Sequence, residues 1–319
     1  MCVVFCRRWG VLVSSEFSSA VAASSMEATV PTSTWPSRKT AQATCEEWVS
    51  WVPPRTYPAL VMQAVSEKYV NVEQNFMRLM ELNSVFKRHH LYLMCMDDAS
   101  VRIFATLGIR CVPLDSLQFD SIHDLWKTRI RALSCLVTEG YDVIMSDADA
   151  LWLRDPMDYF NLPEVRNSSV VASRGNHPRS ISNRWGASMC LGFILFRATG
   201  PGMVTLQKYI ETLVLQITDD QIATNKAVNR FGITWDEDSD MRFANSTGLG
   251  RGTIDNLFDD DDEPLVITLL PHSAFTRSCA SNQISNETVV AHCHSIKRVG
   301  RRVSWMQEAN LWLLDSDHP

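Results

Sequence analysis

From Ala59 onward the sequence alternates short apolar runs with longer amphipathic ones, and this alternation restricts the fold more than any other feature. "ALVMQAVS" reads as a buried strand and "EKYVNVEQNFMRLMELNSVF" as a helix with one apolar face. "HLYLMCMDD" is a second strand, "ASVRIFATLG" a helix ended by Gly108, and "IRCVPLD" a third strand. "SIHDLWKTRIRALSCLVTEG" is again helical, N-capped near Ser121 and stopped at Gly140. Strand–helix–strand at this spacing predicts right-handed crossovers and an α/β domain with a mostly parallel central sheet flanked by helices. Further strands are expected at "SVVASR", "CLGFILFRA", "PLVITLLP" and "ETVVAHCH". Helices are expected at "GPGMVTLQKYIETLVLQI", "DDQIATNKAVNRFG" and "RVSWMQEANLWLL".

The alternation starts late. Residues 1–55 are rich in Ser, Thr, Ala and Pro and close with "WVPPRTYP", so they read as a leader and linker, disordered or used for targeting. Residues 56–319 form the single folded domain, and a chain of 319 residues with 45% hydrophobic content supports a core of that size. The net charge of −6 lacks the basic stripe of a nucleic-acid-binding surface, and no run of eighteen apolar residues marks a membrane span. The nine cysteines include no pair at zinc-site spacing. Cys95, Cys111, Cys135 and Cys190 lie in apolar elements and read as small core residues, whereas Cys279 and Cys293 are candidates to pair. N-x-S/T sequons occur at Asn167, Asn245 and Asn286. The run Asp259 to Glu263 reads as a solvated loop.

The chemistry concentrates in "GYDVIMSDADALWLRDP", Gly140 to Pro156. An apolar strand ends there in Asp147 and Asp149, two residues apart, so strand periodicity aims both carboxylates to one side. The carboxyl end of a parallel strand is where open α/β sheets bind ligands. Two converging carboxylates need a cation, and oxygen donors suit Mn²⁺ or Mg²⁺. The pattern points to a site for a metal and a diphosphate. Arg154 and Asp155 read as a local ion pair holding the turn that Pro156 closes.

The stretch resembles the nucleotide-diphospho-sugar transferase family, which includes plant cell-wall α-xylosyl- and arabinosyltransferases. Leu151 to Pro156 match its apolar segment after D-x-D. "CLGFILFRATGPG" is similar to its asparagine–glycine–phenylalanine strand, with Cys190-Leu191 where asparagine is usual. "DDQIATNKAV" resembles its aspartate–glutamine segment, and "VVAHCHS" its C-terminal histidine strand. The resemblance implies a GT-A (Rossmann-like) fold and retaining transfer from a nucleotide sugar, usually UDP-linked, to a glycan or glycoprotein acceptor. It implies metal ligation by Asp147 and Asp149 with His292 or His294, a choice the sequence leaves open. Donor binding would involve Arg129 and Gly192 as well as the two aspartates, with Lys127 a neighbouring basic group. Asp220 and Gln221 are the candidates for work beneath the sugar, and Asp219 or Asp220 would cap the helix they begin. A Golgi-lumenal location is expected, with membrane association through an N-terminal anchor that is weak in, or missing from, this sequence. Trp185 and Gly186 fall in a polar loop that would cover donor or acceptor, and Trp235 reads as packing.

Two rival readings exist. A phosphohydrolase of the haloacid dehalogenase type also places D-x-D at a strand end, but in its first strand, with Gly, or Thr/Val and then Thr, after the motif. Here Ala150 and Leu151 follow it, in the fourth strand. A catalytically inactive relative that only binds nucleotide sugar is the other.

Overall fold

The computed structural model describes residues 44–53, 57–85, 90–113, 122–217, 219–255, 263–280, 283–294 and 299–314. All lie in one compact unit, Arg38–Pro319. The leader up to residue 43, the cap expected at Ser121 and Asp259 to Asp262 lie outside the described residues.

A short helix, α1 (Cys45–Ser50), precedes the strand–helix alternation, with Thr44 and Glu47 forming a reciprocal capping box. Then follow β1 (Leu60–Val65), α2 (Val70–Leu82), β2 (Leu91–Cys95), α3 (Asp98–Thr106), β3 (Cys111–Pro113), α4 (Ile122–Thr138) and β4 (Val143–Ser146). After them come β5 (Ala150–Trp152), α5 (Met157–Phe160), β6 (Val170–Gly175), α6 (Arg179–Trp185), β7 (Ser188–Phe196), α7 (Pro201–Ile217) and α8 (Asp220–Arg230). The chain continues through β8 (Thr234–Trp235), β9 (Gly250–Ile254), β10 (Leu265–Leu269), β11 (Phe275–Thr276), β12 (Val290–His292) and α9 (Val299–Glu308).

Nine strands form one sheet in the order β3-β2-β1-β4-β7-β6-β10-β9-β8, and β11-β12-β5 form a small second sheet. The expected parallel pairing holds across β3, β2, β1 and β4. Beyond β4 the sheet is mixed: β7 runs antiparallel to both neighbours, and β9 is antiparallel to β10. Strand periodicity sorts β1 cleanly, Val61 and Val65 packing toward α2, α3 and the small sheet while Leu60 and Met62 pack toward α4, α7 and α8. Both faces are covered, which is why the central strands read as unbroken apolar runs.

Four sequence readings change. Cys95 pairs with Cys111 across adjacent strands, and Cys135 of α4 pairs with Cys45 of α1. Apolar surroundings alone do not separate a buried thiol from a buried half-cystine. The Cys45 link and the buried Trp48 anchor α1, so packed structure begins inside the segment read as linker. The polar stretch around Trp185 is the helix α6, stopped by Gly186 at φ 94°, with Trp185 packed edge-on against Trp235 at 5.4 Å. Arg154 and Asp155 also part company: Arg154 donates to the carbonyls of Glu287 and Thr288, while Asp155 accepts from the Tyr57 hydroxyl and the Met157 amide. Cys279 and Cys293 pair as expected, and Cys190 remains a free, buried thiol.

Candidate metal and donor site

Asp147 and Asp149 sit in the tight turn between β4 and β5, not within a strand. The Ala150 amide donates to the Asp147 carbonyl at 2.9 Å, and the Asp147 amide donates to the Gly192 carbonyl of β7 at 2.8 Å. The two carboxylates therefore converge through turn geometry, although the sequence argument relied on strand periodicity. β12 runs antiparallel to β5 with His292 opposite Ala150, and the Cys293 amide donates to the Asp149 carbonyl at 2.7 Å. That register delivers an imidazole to the aspartates from 143 residues further along (149 to 292).

Nε2 of His292 lies 3.3 Å from Oδ1 of Asp149 and 3.8 Å from Oδ2 of Asp147. One ligand atom from each of the three residues falls within 4.8 Å of the others. His294 stays outside this group; its ring centroid is 5.6 Å from that of His292, and its amide donates to the His292 carbonyl. Burial, followed by the charges of His292 and Arg277, pushes His294 down to about 4.

The outer atom of each ligand is held by another side chain. Arg129 of α4 donates to Oδ1 of Asp147 at 2.8 Å, and its other nitrogens grip Asp220. Arg302 of α9 places Nε 3.0 Å from Oδ2 of Asp149 and also reaches the Tyr69 hydroxyl. On His292, Nδ1 lies 3.8 Å from Sγ of Cys190. Of the two basic residues of α4 named from the sequence, Arg129 turns to the site with its side chain only 11% exposed, whereas Lys127 turns away to pair with Asp124 at 3.7 Å.

Gly192 fits this arrangement because it lacks a side chain. A Cβ there would run into Cε1 of His292 and come within 2.8 Å of Oδ2 of Asp147. The register between β6 and β7 slips here, Ala172 facing Ile194 while Ser173 faces Cys190, so β7 bulges toward the site.

At the start of α8, Asp219 caps the helix by accepting from the Ile222 amide at 2.7 Å, while Asp220 is buried against Arg129. Gln221 does not point freely into the site. Its oxygen accepts from the Leu191 amide at 3.3 Å, and its nitrogen donates to the His177 carbonyl.

The electrostatics follow from this crowding. Burial opposes ionisation of Asp149, but His292 and Arg302 outweigh it and hold the carboxyl well below the usual range. Burial likewise opposes a charged His292, and Asp149 overrides it, raising the imidazole to about 10. Burial raises Asp220 above the usual carboxylate range, against the pull of Arg129. Two close carboxylates call for positive charge. The donor set, two carboxylate oxygens and one imidazole nitrogen, fits a divalent cation of the Mn²⁺ type. Nε2 of His292 is buried with no hydrogen-bond partner among the described residues, as a ligand nitrogen aimed at a cation would be.

The family model described as nucleotide-diphospho-sugar transferase matches residues 87–300. The chain belongs to the nucleotide-diphospho-sugar transferase family. Among curated proteins, UDP-D-xylose:L-fucose alpha-1,3-D-xylosyltransferase 3 of Arabidopsis thaliana is 22% identical over 278 residues. That alignment covers 80% of this chain and 61% of the relative, so the chain spans somewhat less than two thirds of that protein's length. Among solved structures, the glycosyltransferase GlyE of Streptococcus pneumoniae TIGR4 is similar at a TM-score of 0.45 and 16% identity, covering 82% of this chain and 61% of that one. The galactosyltransferase LgtC, solved in complex with donor and acceptor sugar analogs, gives a TM-score of 0.39 and 11% identity, covering 81% and 97%. In this member of the transferase family the sequence argument missed Arg302, Tyr69 and the contact of Cys190 with His292. For Arg302 a signal existed, since "RRVSW" puts two arginines on a helix just after the histidine strand, but nothing in it says which arginine turns inward.

Proposed function

We propose that this chain is a divalent-cation-dependent glycosyltransferase. It moves a sugar from a nucleoside diphosphate, UDP foremost, to a hydroxyl of a glycan or glycoprotein, with retention at the anomeric carbon. The observation that carries the reading is the convergence of Asp147, Asp149 and His292 at one point beside a glycine that leaves it open. The family match supports nucleotide-sugar chemistry, and the name of the Arabidopsis relative supports UDP as the carrier. It also argues against the phosphohydrolase reading, as does Arg129, which ties up one oxygen of the aspartate that would serve as nucleophile.

When bound, the cation, Mn²⁺ or Mg²⁺, supplies Lewis-acid neutralisation of the charge on the departing diphosphate. Each of the three ligands offers a single atom, its other atom being held by Arg129, Arg302 or Cys190. Coordination positions are therefore left for substrate oxygens. Asp220 holds negative charge beside the site with its carboxylate locked by Arg129, and in this reading it stabilises positive charge developing on the sugar. Gln221 orders the backbone at Leu191 and His177, the strand and loop that flank the site.

An oxidising, lumenal location is supported by the three disulfides and by the exposure of the sequon residues Asn167, Asn245 and Asn286. Golgi residence and an N-terminal anchor belong to the same proposal. No helix among the described residues is long and apolar enough to cross a membrane. A mobility shift on glycosidase treatment of the secretory-cell product tests the lumenal part.

The activity test is a panel of UDP-sugars with Mn²⁺, scored first for UDP release and then for transfer to glycan acceptors. Proton NMR of the new glycosidic bond reads the anomeric outcome. UDP release from at least one donor with retained configuration is expected; an inverted product overturns the retaining step, and no turnover with any donor favours an inactive, donor-binding relative.

A further inference from the structure

We infer that Cys190 is a positioning residue for the metal ligand His292, fixing through Nδ1 which imidazole nitrogen faces the cation. The inference rests on the metal-site reading above and extends it to a residue that reads, in the sequence, as core packing.

Cys190 is 1% exposed on β7 and is the free thiol among the described residues. Its Sγ lies 3.8 Å from Nδ1 of His292, while Nε2 on the other side of the ring faces both aspartates and has no hydrogen-bond partner. An imidazole that ligates through Nε2 carries its proton on Nδ1, and a partner at Nδ1 sets tautomer and ring orientation. That partner is usually a carboxylate, a carbonyl or water. Here a thiol takes the place, and sulfur accepts an N–H as a weak, polarizable acceptor.

The surroundings leave His292 few other means of orientation. The ring packs over Gly192, where any Cβ would collide with Cε1 and come within 2.9 Å of Nδ1. One face of the ring is therefore steered by backbone and the Nδ1 edge by the thiol. Ser173, opposite Cys190 on β6, gives its hydroxyl to the Phe193 carbonyl at 3.1 Å and is engaged elsewhere. The division of labour among the three ligands is then consistent: guanidinium groups aim the carboxylates, and the Cys190 sulfur aims the imidazole.

The test compares the full chain with Cys190→Ala and Cys190→Ser by calorimetric titration of Mn²⁺ and of Mg²⁺, with nitrogen NMR of the His292 ring and thermal melting of each variant. Loss of an outer partner of a metal-bound histidine costs about 10- to 100-fold in affinity. C190A is expected to weaken Mn²⁺ by about that factor and Mg²⁺ much less, since imidazole contributes more to Mn²⁺ than to Mg²⁺. C190S, which keeps a hydrogen-bonding atom on a shorter bond, is expected to recover part of the loss. With Mg²⁺ bound, the ring nitrogens should report an Nδ1–H tautomer in the wild type and a mixture in C190A. The inference is overturned if C190A keeps wild-type Mn²⁺ affinity and tautomer. It is also overturned if both ions weaken equally in step with a lower melting temperature, which marks Cys190 as packing alone. A wild-type chain that binds neither ion, or an H292A variant that binds Mn²⁺ as well as wild type, overturns the metal reading itself.

Discussion

Replacing Gly192 by alanine is the sharpest test of how the site is built, because the perturbation is one methyl group at a known place. The added Cβ would collide with Cε1 of His292, approach Nδ1 to 2.9 Å and Oδ2 of Asp147 to 2.8 Å, where ordinary contacts begin at 3.4 Å. The Asp147 carboxylate must retreat by more than half an ångström and the imidazole by more than that. Asp147 is partly exposed and has room to move; His292, 2% exposed and hydrogen-bonded through its strand, does not. The fold should therefore lose about 1–3 kcal/mol, the usual cost of overpacking a tight site. Site function should lose far more, because a ligand misplaced by about 1 Å typically costs on the order of 100-fold. Melting temperature measures the first quantity; Mn²⁺ titration and donor hydrolysis measure the second. A G192A variant with wild-type Mn²⁺ affinity would refute the claim that Gly192 is there to make room for the ligands. Equal losses in folding and binding would show that the glycine matters only for packing.

Asp149→Ala should abolish measurable Mn²⁺ binding while leaving a folded chain, since Asp147 and His292 alone leave the cation with two protein ligands; circular dichroism and calorimetry check both halves. Arg129→Met should destabilise the fold by about 3–5 kcal/mol, the usual penalty for leaving a buried charge without its partner, here Asp220. A denaturant midpoint unchanged from wild type would show that Asp220 is neutral or solvated. Glu73 of α2 is fully buried, and burial lifts its carboxyl from an ordinary value to about 8. Its folded value lies above its unfolded one, so its contribution to stability is complete below about pH 4.5 and is lost as pH rises toward 8. Glu73→Gln should therefore gain melting temperature over wild type at pH 8 relative to pH 4.5, and a pH-independent difference would contradict the assignment.

Much of this fold was legible because its local signals agree with its packing. The periodicities of β1, α2, β2 and α3 follow from strands covered on both faces and helices covered on one. The cap of α8 was legible as a choice between Asp219 and Asp220, and it falls to Asp219 because only one of two consecutive side chains turns back to the helix amides. The antiparallel half was hidden, since a buried strand carries the same apolar run in either direction. The partners of Cys45, Cys95 and Arg302 were hidden for another reason: each is set by where distant elements meet, and no local pattern records that. Spacing leaves His292 and His294 equal, and the pairing of β12 with β5 places His292, rather than His294, beside the two aspartates. Even the strongest motif reached the convergence of Asp147 and Asp149 by an incomplete route, because a turn rather than strand alternation brings them together.

The central claim is that Asp147, Asp149 and His292 hold a divalent cation through which a nucleoside diphosphate is bound. Calorimetric titration of UDP into the full chain, with Mn²⁺ and again with excess chelator, tests it most directly. The account predicts UDP binding that requires Mn²⁺ and disappears in D149A and H292A. UDP binding of equal strength with the chelator, or in both variants, would contradict it.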